Sequence, residues 1–321
     1  MVVFNVSRLR RRVWWVSFLM IAVSVIGILL SWTNPQIHAP LRPGLDFTGG
    51  TQIQLERRCG TSCGALKVSE LQNVLAAAPL PDDADAPAPN LASARVQLLD
   101  RGKSLVLRMP TLSAAQGQAV IAALTPVAGP FLPGGQAVDT IGPTLGSQLL
   151  RSSLISLLVA FAGIAVYISI RYDRRYAVLA LLALAHDVVI VCGLFAWLGL
   201  VIALEVDSLF AVALLTIAGY SVNDTVVVFD RIRERQRLEG DRPIGEQVDN
   251  AVTATLTRTL YTSGTTLMPL FALILFGGST LVWFAVALAA GVIVGSWSSI
   301  ALAPSLLTLW SRRAIAPSRA S

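Results

Sequence analysis

Residues 208–234 read SLFAVALLTIAGYSVNDTVVVFDRIRE. An apolar run leads into Asn223-Asp224, and the chain is apolar again through Phe229 before charges begin at Asp230. Crossing a bilayer takes about 20 mostly apolar residues, and Leu209–Phe229 has that length. Asp224 therefore falls inside a membrane span. It lies roughly 22 Å along the helix at 1.5 Å per residue, past the midplane. An ionisable group at that depth is costly, and as a rule it faces the bundle interior or a water path.

The rest of the chain follows the same plan. Hydrophobic residues make up 54% of it and charged residues 14%, against about a quarter charged in soluble domains. Mean hydropathy is +0.66. Further spans are expected over Val13–Ser31, Leu154–Ile170, Ala177–Ile202, Thr259–Phe276 and Leu281–Trp310. The first is too long for an ordinary signal peptide and has no small-residue cleavage site. The expected class is a polytopic α-helical membrane protein with six transmembrane helices. Its parts are a basic start (1–12), helix 1 (13–31), an outer domain (32–147), helices 2–6 (148–310) and a tail (311–321).

The net charge of +6 and pI near 9.7 come from arginines on one side. Arg8, Arg10, Arg11 and Arg12 precede helix 1, and Arg171, Arg174 and Arg175 separate helices 2 and 3. Arg231, Arg233, Arg235, Arg237 and Arg242 separate helices 4 and 5, and Arg312, Arg313 and Arg319 follow helix 6. The loops EVDS and GGST carry neither Lys nor Arg. The positive-inside rule makes the arginine side cytoplasmic, both termini included. The expected setting is a bacterial inner membrane. Membrane orientation accounts for the basic balance; membrane lipids are expected partners and nucleic acid is not.

Within the outer segment, TQIQLE (Thr51–Glu56) alternates as a strand does. SELQNVLAAA opens with Ser69 and Gln72, spaced as a capping box, and reads as a helix. PLPDDADAPAPN is a loop. ARVQLL and KSLVLRM are strands joined by a turn at Asp100-Arg101-Gly102. SAAQGQAVIAAL is a second helix opened by Ser113 and Gln116, and QAVDTIG a last strand. The order β-α-β-β-α-β is the ferredoxin-like α+β arrangement, extracytoplasmic and set between helices 1 and 2. Cys59 and Cys63 in CGTSC are open to three readings: a disulfide, which an outside location permits, two free thiols, or half of a metal pair. No histidine lies near to complete a metal site. Cys192 reads as packing.

Four polar groups are candidates for a proton relay: Asp224, Arg258, Asp187 and His186. Helices 3 and 5 enter from the cytoplasmic side, so all four reach overlapping depths on three helices. Burial and a nearby guanidinium act oppositely on a carboxylate, and alternating between them would load and release a proton. The opposing reading is a static polar knot that fixes helix register, with Asp187 simply orienting the imidazole. Asp230 reads as structural, among arginines at the boundary. Gly291, Gly295 and Ser299 are spaced four apart, a pattern that lets helices approach closely. No phosphate-binding loop or hydrolase triad spacing occurs. No cofactor or metal is expected, and any work would draw on an ion gradient.

Five stretches carry a family resemblance: GLDFTGGTQIQ (Gly44–Gln54), IGPTLGSQL (Ile141–Leu149), ALAHDVVI (Ala183–Ile190), GYSVNDTVVVFDRIRE (Gly219–Glu234) and TLTRTLYTSGTTLM (Thr255–Met268). With them in this order, the chain resembles the SecD/SecF family of bacterial protein-export membrane subunits, within the resistance-nodulation-division superfamily. The short start and single small outer domain are similar to its SecF branch. The resemblance implies a complex with SecD, association with the SecYEG channel and translocating preproteins, and use of the proton gradient to assist export. Asp224 and Arg258 match the family's proton-path Asp and Arg. Sodium remains open as the ion. Two other readings stand beside this one: half of a small-molecule exporter of the same superfamily, and a passive scaffold for translocon assembly.

Overall fold

Among the described residues of the computed structural model, six helices are long and apolar enough to cross a membrane. Those residues are 5–59, 63–82, 88–99 and 102–314. The turn residues Asp100 and Arg101, residues 83–87 of the Pro/Asp/Ala loop and the tail from 315 lie outside them. The chain divides into two units, Pro43–Ser152 and the rest.

The smaller unit contains a short helix α2 (Leu45–Thr48), then β1 (Gly50–Arg57), α3 (Val68–Ala76), β2 (Arg95–Leu99), β3 (Ser104–Met109), α4 (Ala114–Ala128) and β4 (Phe131–Ile141). The sheet order is β2-β3-β1-β4 and every pair is antiparallel, which is the ferredoxin-like topology. Alternation along β1 turns Ile53 and Leu55 toward the core, where they join Leu71 and Leu75 of α3, Leu105 and Leu107 of β3, and Val120 and Leu124 of α4. Gln52 and Gln54 point the other way, and Gln52 accepts from Arg108 Nε at 2.9 Å. Cys59 and Cys63 are joined by a disulfide.

The Ser113/Gln116 capping box forms at α4. The Ser69/Gln72 box does not: α3 starts at Val68 with Lys67 at its cap. A cap is worth about 1 kcal/mol. Burying Leu71 and Leu75 is worth roughly 1.5–3 kcal/mol each, so packing sets the helix start. Gly49 and Gly50 both have positive φ, 70° and 120°. Gly146 abuts the Gly49 backbone, where an added Cβ would lie 2.7 Å from the Gly49 nitrogen. Two of the family stretches thus pack against each other through glycine.

The larger unit holds α1 (Val6–Thr33), most of α5 (Pro143–Arg171), α6 (Arg174–Val201), α7 (Ser208–Leu238), α8 (Ile244–Phe276) and α9 (Ser279–Trp297). The sixth span continues from α9 through one π-helical turn, Ser298–Leu302, into α10 (Ala303–Ala314). Two helices run well past their expected apolar spans. α5 starts at Pro143, a residue suited to a first helical position. α8 starts at Ile244 and not near Thr259, because Val248, Ala251 and Val252 are buried against the bundle. Trp32–Arg42 goes with the membrane unit, although the outer domain was expected to start at 32. Val206 N donates to Arg42 O at 2.9 Å, and Arg42 Nε lies 3.6 Å from Glu205.

Small residues set the helix contacts. Gly193 of α6 lies directly against Ser24 of α1, and Trp197 Nε1 donates to Val23 O at 3.0 Å. Gly291 of α9 faces Ile217 of α7 with no room for a Cβ. The core at the arginine end contains Ile168, Tyr176, Phe229 and Ile232. Asp230 lies there with Arg171 at 3.6 Å and Arg233 at 3.9 Å. By contrast α5 is almost bare, and most of α8's span is unburied.

Candidate coupling site among the membrane helices

Asp187 is fully buried on α6. Its Oδ2 accepts from Ser221 Oγ of α7 at 2.5 Å and from Ser298 Oγ in the π turn at 2.7 Å. Its Oδ1 lies 2.8 Å from His186 Nδ1. Gly295 leaves space above this group: a Cβ there would lie 3.6 Å from Oδ2. His186 Nε2 is buried with no partner among the described residues. One carboxylate thus ties together α6, α7 and the sixth span.

The π turn explains how two adjacent serines reach two different helices, α6 and α7. Such a bulge inserts an extra residue and resets the facing of the side chains. Ser298 turns to Asp187, while Ser299 Oγ lies 2.8 Å from Thr225 Oγ1. Further along, Ser263 of α8 meets Ser296 of α9 at 2.6 Å, and Tyr220 OH donates to Ser263 at 3.3 Å. Hydroxyls therefore line the seam between α7, α8 and the sixth span. Sequence reasoning passed over Ser221, Thr225, Ser263, Ser296 and Ser298. The run Ser296-Trp297-Ser298-Ser299, within an otherwise apolar span, was the available signal.

Asp224, one turn beyond Ser221 on α7, has different surroundings. It is 5% exposed, and its Oδ2 is buried with no hydrogen-bond partner among the described residues. The Arg258 guanidinium on α8 acts on it electrostatically, but no ion pair joins them among the described residues. Arg258 itself is exposed on α8, whereas the next residue, Thr259, is buried with an unpartnered hydroxyl. The four candidate residues therefore fall into two pairs: His186 with Asp187, and Asp224 with Arg258. No hydrogen bond among the described residues connects one pair to the other directly. Among the described residues no group of three His, Cys, Asp or Glu side chains is placed to hold a metal.

The architecture defines a multi-pass membrane protein with a ferredoxin-like domain inserted after the first span and a charged cluster within the bundle. Residues 134–313 match the family described as "Protein export membrane protein SecD/SecF, C-terminal", and residues 37–59 match the SecD/SecF GG motif. Over 306 residues the chain is 58% identical to the protein translocase subunit SecF of Prochlorococcus marinus, covering 95% of both chains. It is 43% identical to that of Synechocystis, covering 93% of this chain and 91% of the relative. The crystal structure of SecDF from Thermus thermophilus superposes with a TM-score of 0.78 at 32% identity over 97% of this chain. This chain spans 39% of that longer SecDF chain. The chain belongs to the SecD/SecF family of protein-export membrane proteins.

Proposed function

We propose that this chain acts as the SecF-type subunit of a protein translocase, and that Asp224 couples proton movement across the membrane to export. One observation carries the coupling role: a buried carboxylate within the membrane has an arginine nearby and, among the described residues, no committed hydrogen-bond donor. Protonating Asp224 breaks no protein hydrogen bond. Asp187, by contrast, has both oxygens engaged, by Ser221, Ser298 and His186. In this reading Asp224 takes up and releases the proton, Arg258 biases its charge, and Asp187 with His186 holds the helices in register. Sodium is the competing ion, since a carboxylate oxygen suits either.

The arginine-rich ends belong at the cytoplasmic face of the inner membrane by the positive-inside rule, which puts both termini inside and the disulfide-bearing domain outside. The partner is a SecD-type subunit. Its support is that the matched SecDF is one longer chain, and that α5 and α8 leave broad apolar faces uncovered by this chain. Association with SecYEG and with preproteins follows from that assignment. Each charge crossing 100 mV is worth about 2.3 kcal/mol, so a few protons suffice to drive a domain movement.

The test is export of a preprotein into sealed inverted vesicles containing the partner subunit, with and without an imposed proton gradient. Asp224→Asn is expected to insert and assemble normally and to lose gradient-stimulated export. Arg258→Ala is expected to impair the same step. Full stimulation in Asp224→Asn would leave the passive scaffold as the better reading. A response to sodium in place of the proton gradient would change the ion and keep the site.

A further inference from the structure

We propose that the amino-terminal end of α1 and the first turn of α8 form a binding site for one anionic phospholipid. The two helix ends are latched by Ser7, whose backbone N and Oγ donate to the Asp249 carboxylate at 2.9 and 2.5 Å. Gly245 allows this approach, since a Cβ there would lie 3.3 Å from Ser7 Cβ. Between the ends is a cleft of about 740 Å³, lined on one side by Arg8, Arg10 and Arg11 and on the other by Pro243–Glu246. Three guanidinium groups face one carboxylate, Glu246, and none of the three is in an ion pair among the described residues. The cleft has an excess of positive charge and planar donors whose fork matches a phosphate.

A second groove, of about 370 Å³, shares Arg11 with the first. It is lined by Arg11, Trp14, Trp15 and Phe18. Trp14 is fixed by its indole, which donates to Ser305 Oγ at 2.9 Å. Trp15 and Phe18 are 71% and 63% exposed and meet edge to face with centroids 6.0 Å apart. Arg11 to Phe18 covers roughly 10 Å along the helix. Moving into the membrane, the order is guanidinium, indole, phenyl. A phospholipid presents its groups in the matching order: phosphate, glycerol esters, acyl chain. Tryptophan belongs at the ester level, and basic pockets between spans select acidic headgroups. Charge complementarity selects a net-negative lipid such as phosphatidylglycerol over zwitterionic phosphatidylcholine. The proposal requires only that α1 spans a membrane, and it stands or falls independently of the role of Asp224.

Native mass spectrometry of the full chain, released from micelles titrated with either lipid, tests it. One phosphatidylglycerol should be retained roughly tenfold or more over phosphatidylcholine. The triple substitution Arg8→Gln, Arg10→Gln, Arg11→Gln should abolish that preference, and the corresponding three lysines should keep most of it. Trp15→Ala with Phe18→Ala should weaken retention of both lipids without changing their ratio. Arg174→Gln with Arg175→Gln removes charge elsewhere and should change neither. Thermal melting in detergent checks that each variant is folded. Equal retention of the two lipids overturns the site and leaves the cleft to a protein partner. A preference that survives the glutamine triple, or vanishes with Arg174 and Arg175, overturns it as a bulk-charge effect. Retention unchanged in the Trp15/Phe18 variant removes the apolar half of the assignment.

Discussion

Asp187 and Asp224 lie buried among the same helices, about one helical turn of α7 apart in what they face, and their surroundings differ. Asp187 is met by two serine hydroxyls and an imidazole from three segments. Asp224 has an unpartnered oxygen and only the field of Arg258. Location inside a membrane does not by itself mark a carboxylate as the working one. The number of donors committed to it separates a group that holds helices from one that is able to change.

The sharpest way to break this comparison is to make the same substitution at both sites. Asp224→Asn should abolish gradient-stimulated export with no loss of thermal stability. Asp187→Asn keeps volume and an acceptor oxygen, and should retain most of the stimulation. Complete loss in both, with both variants folded, would make the two carboxylates one relay and end the distinction. Next in size is removal of the carboxylate altogether. Asp187→Ala strands Ser221, Ser298 and His186, and hydrogen bonds between membrane helices are worth about 0.6 kcal/mol on average and up to about 1.7 kcal/mol each. The variant should lose about 2–3 kcal/mol in a reversible unfolding assay, whereas Asp224→Ala should lose under about 1 kcal/mol.

A smaller effect is expected where no polar group is touched. Gly291→Val forces a branched side chain into Ile217, and overpacking of this kind costs about 1–3 kcal/mol. Its melting temperature should fall while any residual export keeps its gradient dependence. The smallest is Ser263→Ala, which removes the contacts of Ser263 with Ser296 and Tyr220 and should cost about 0.6–1.2 kcal/mol. A loss of coupling in Ser263→Ala without loss of stability would extend the working site along the hydroxyl seam.

Part of this was legible from the chain alone, for local reasons. Each span is a continuous apolar run, so its existence needs no knowledge of its neighbours. Asp224 is conspicuous as a charge inside such a run. The four strands and two long helices of the outer domain announce themselves through alternation and turn residues over a few positions. The amino-terminal third of α8 was not legible, because GEQVDNAVTATL is polar enough to resemble a loop, and it becomes helix by burying Val248, Ala251 and Val252. The Asp187 knot was hidden for a different reason. Its donors lie 34 and 111 residues away, and they are brought there by the glycine contacts of the sixth span and by a π turn that no propensity signals.

The Ser7–Asp249 latch has a consequence in time. Its partners are 242 residues apart, and chains are synthesised at about 5–20 residues per second. Asp249 therefore leaves the ribosome roughly 10–50 s after Ser7. Through that interval the first span lacks this anchor, and its Trp14–Ser305 contact comes later still. α6, which supplies Gly193 and Trp197, arrives before α8 does. The nascent chain thus acquires the latch only once the start of α8 has been made, and a ribosome stalled before residue 249 would leave the first helix unlatched at Ser7.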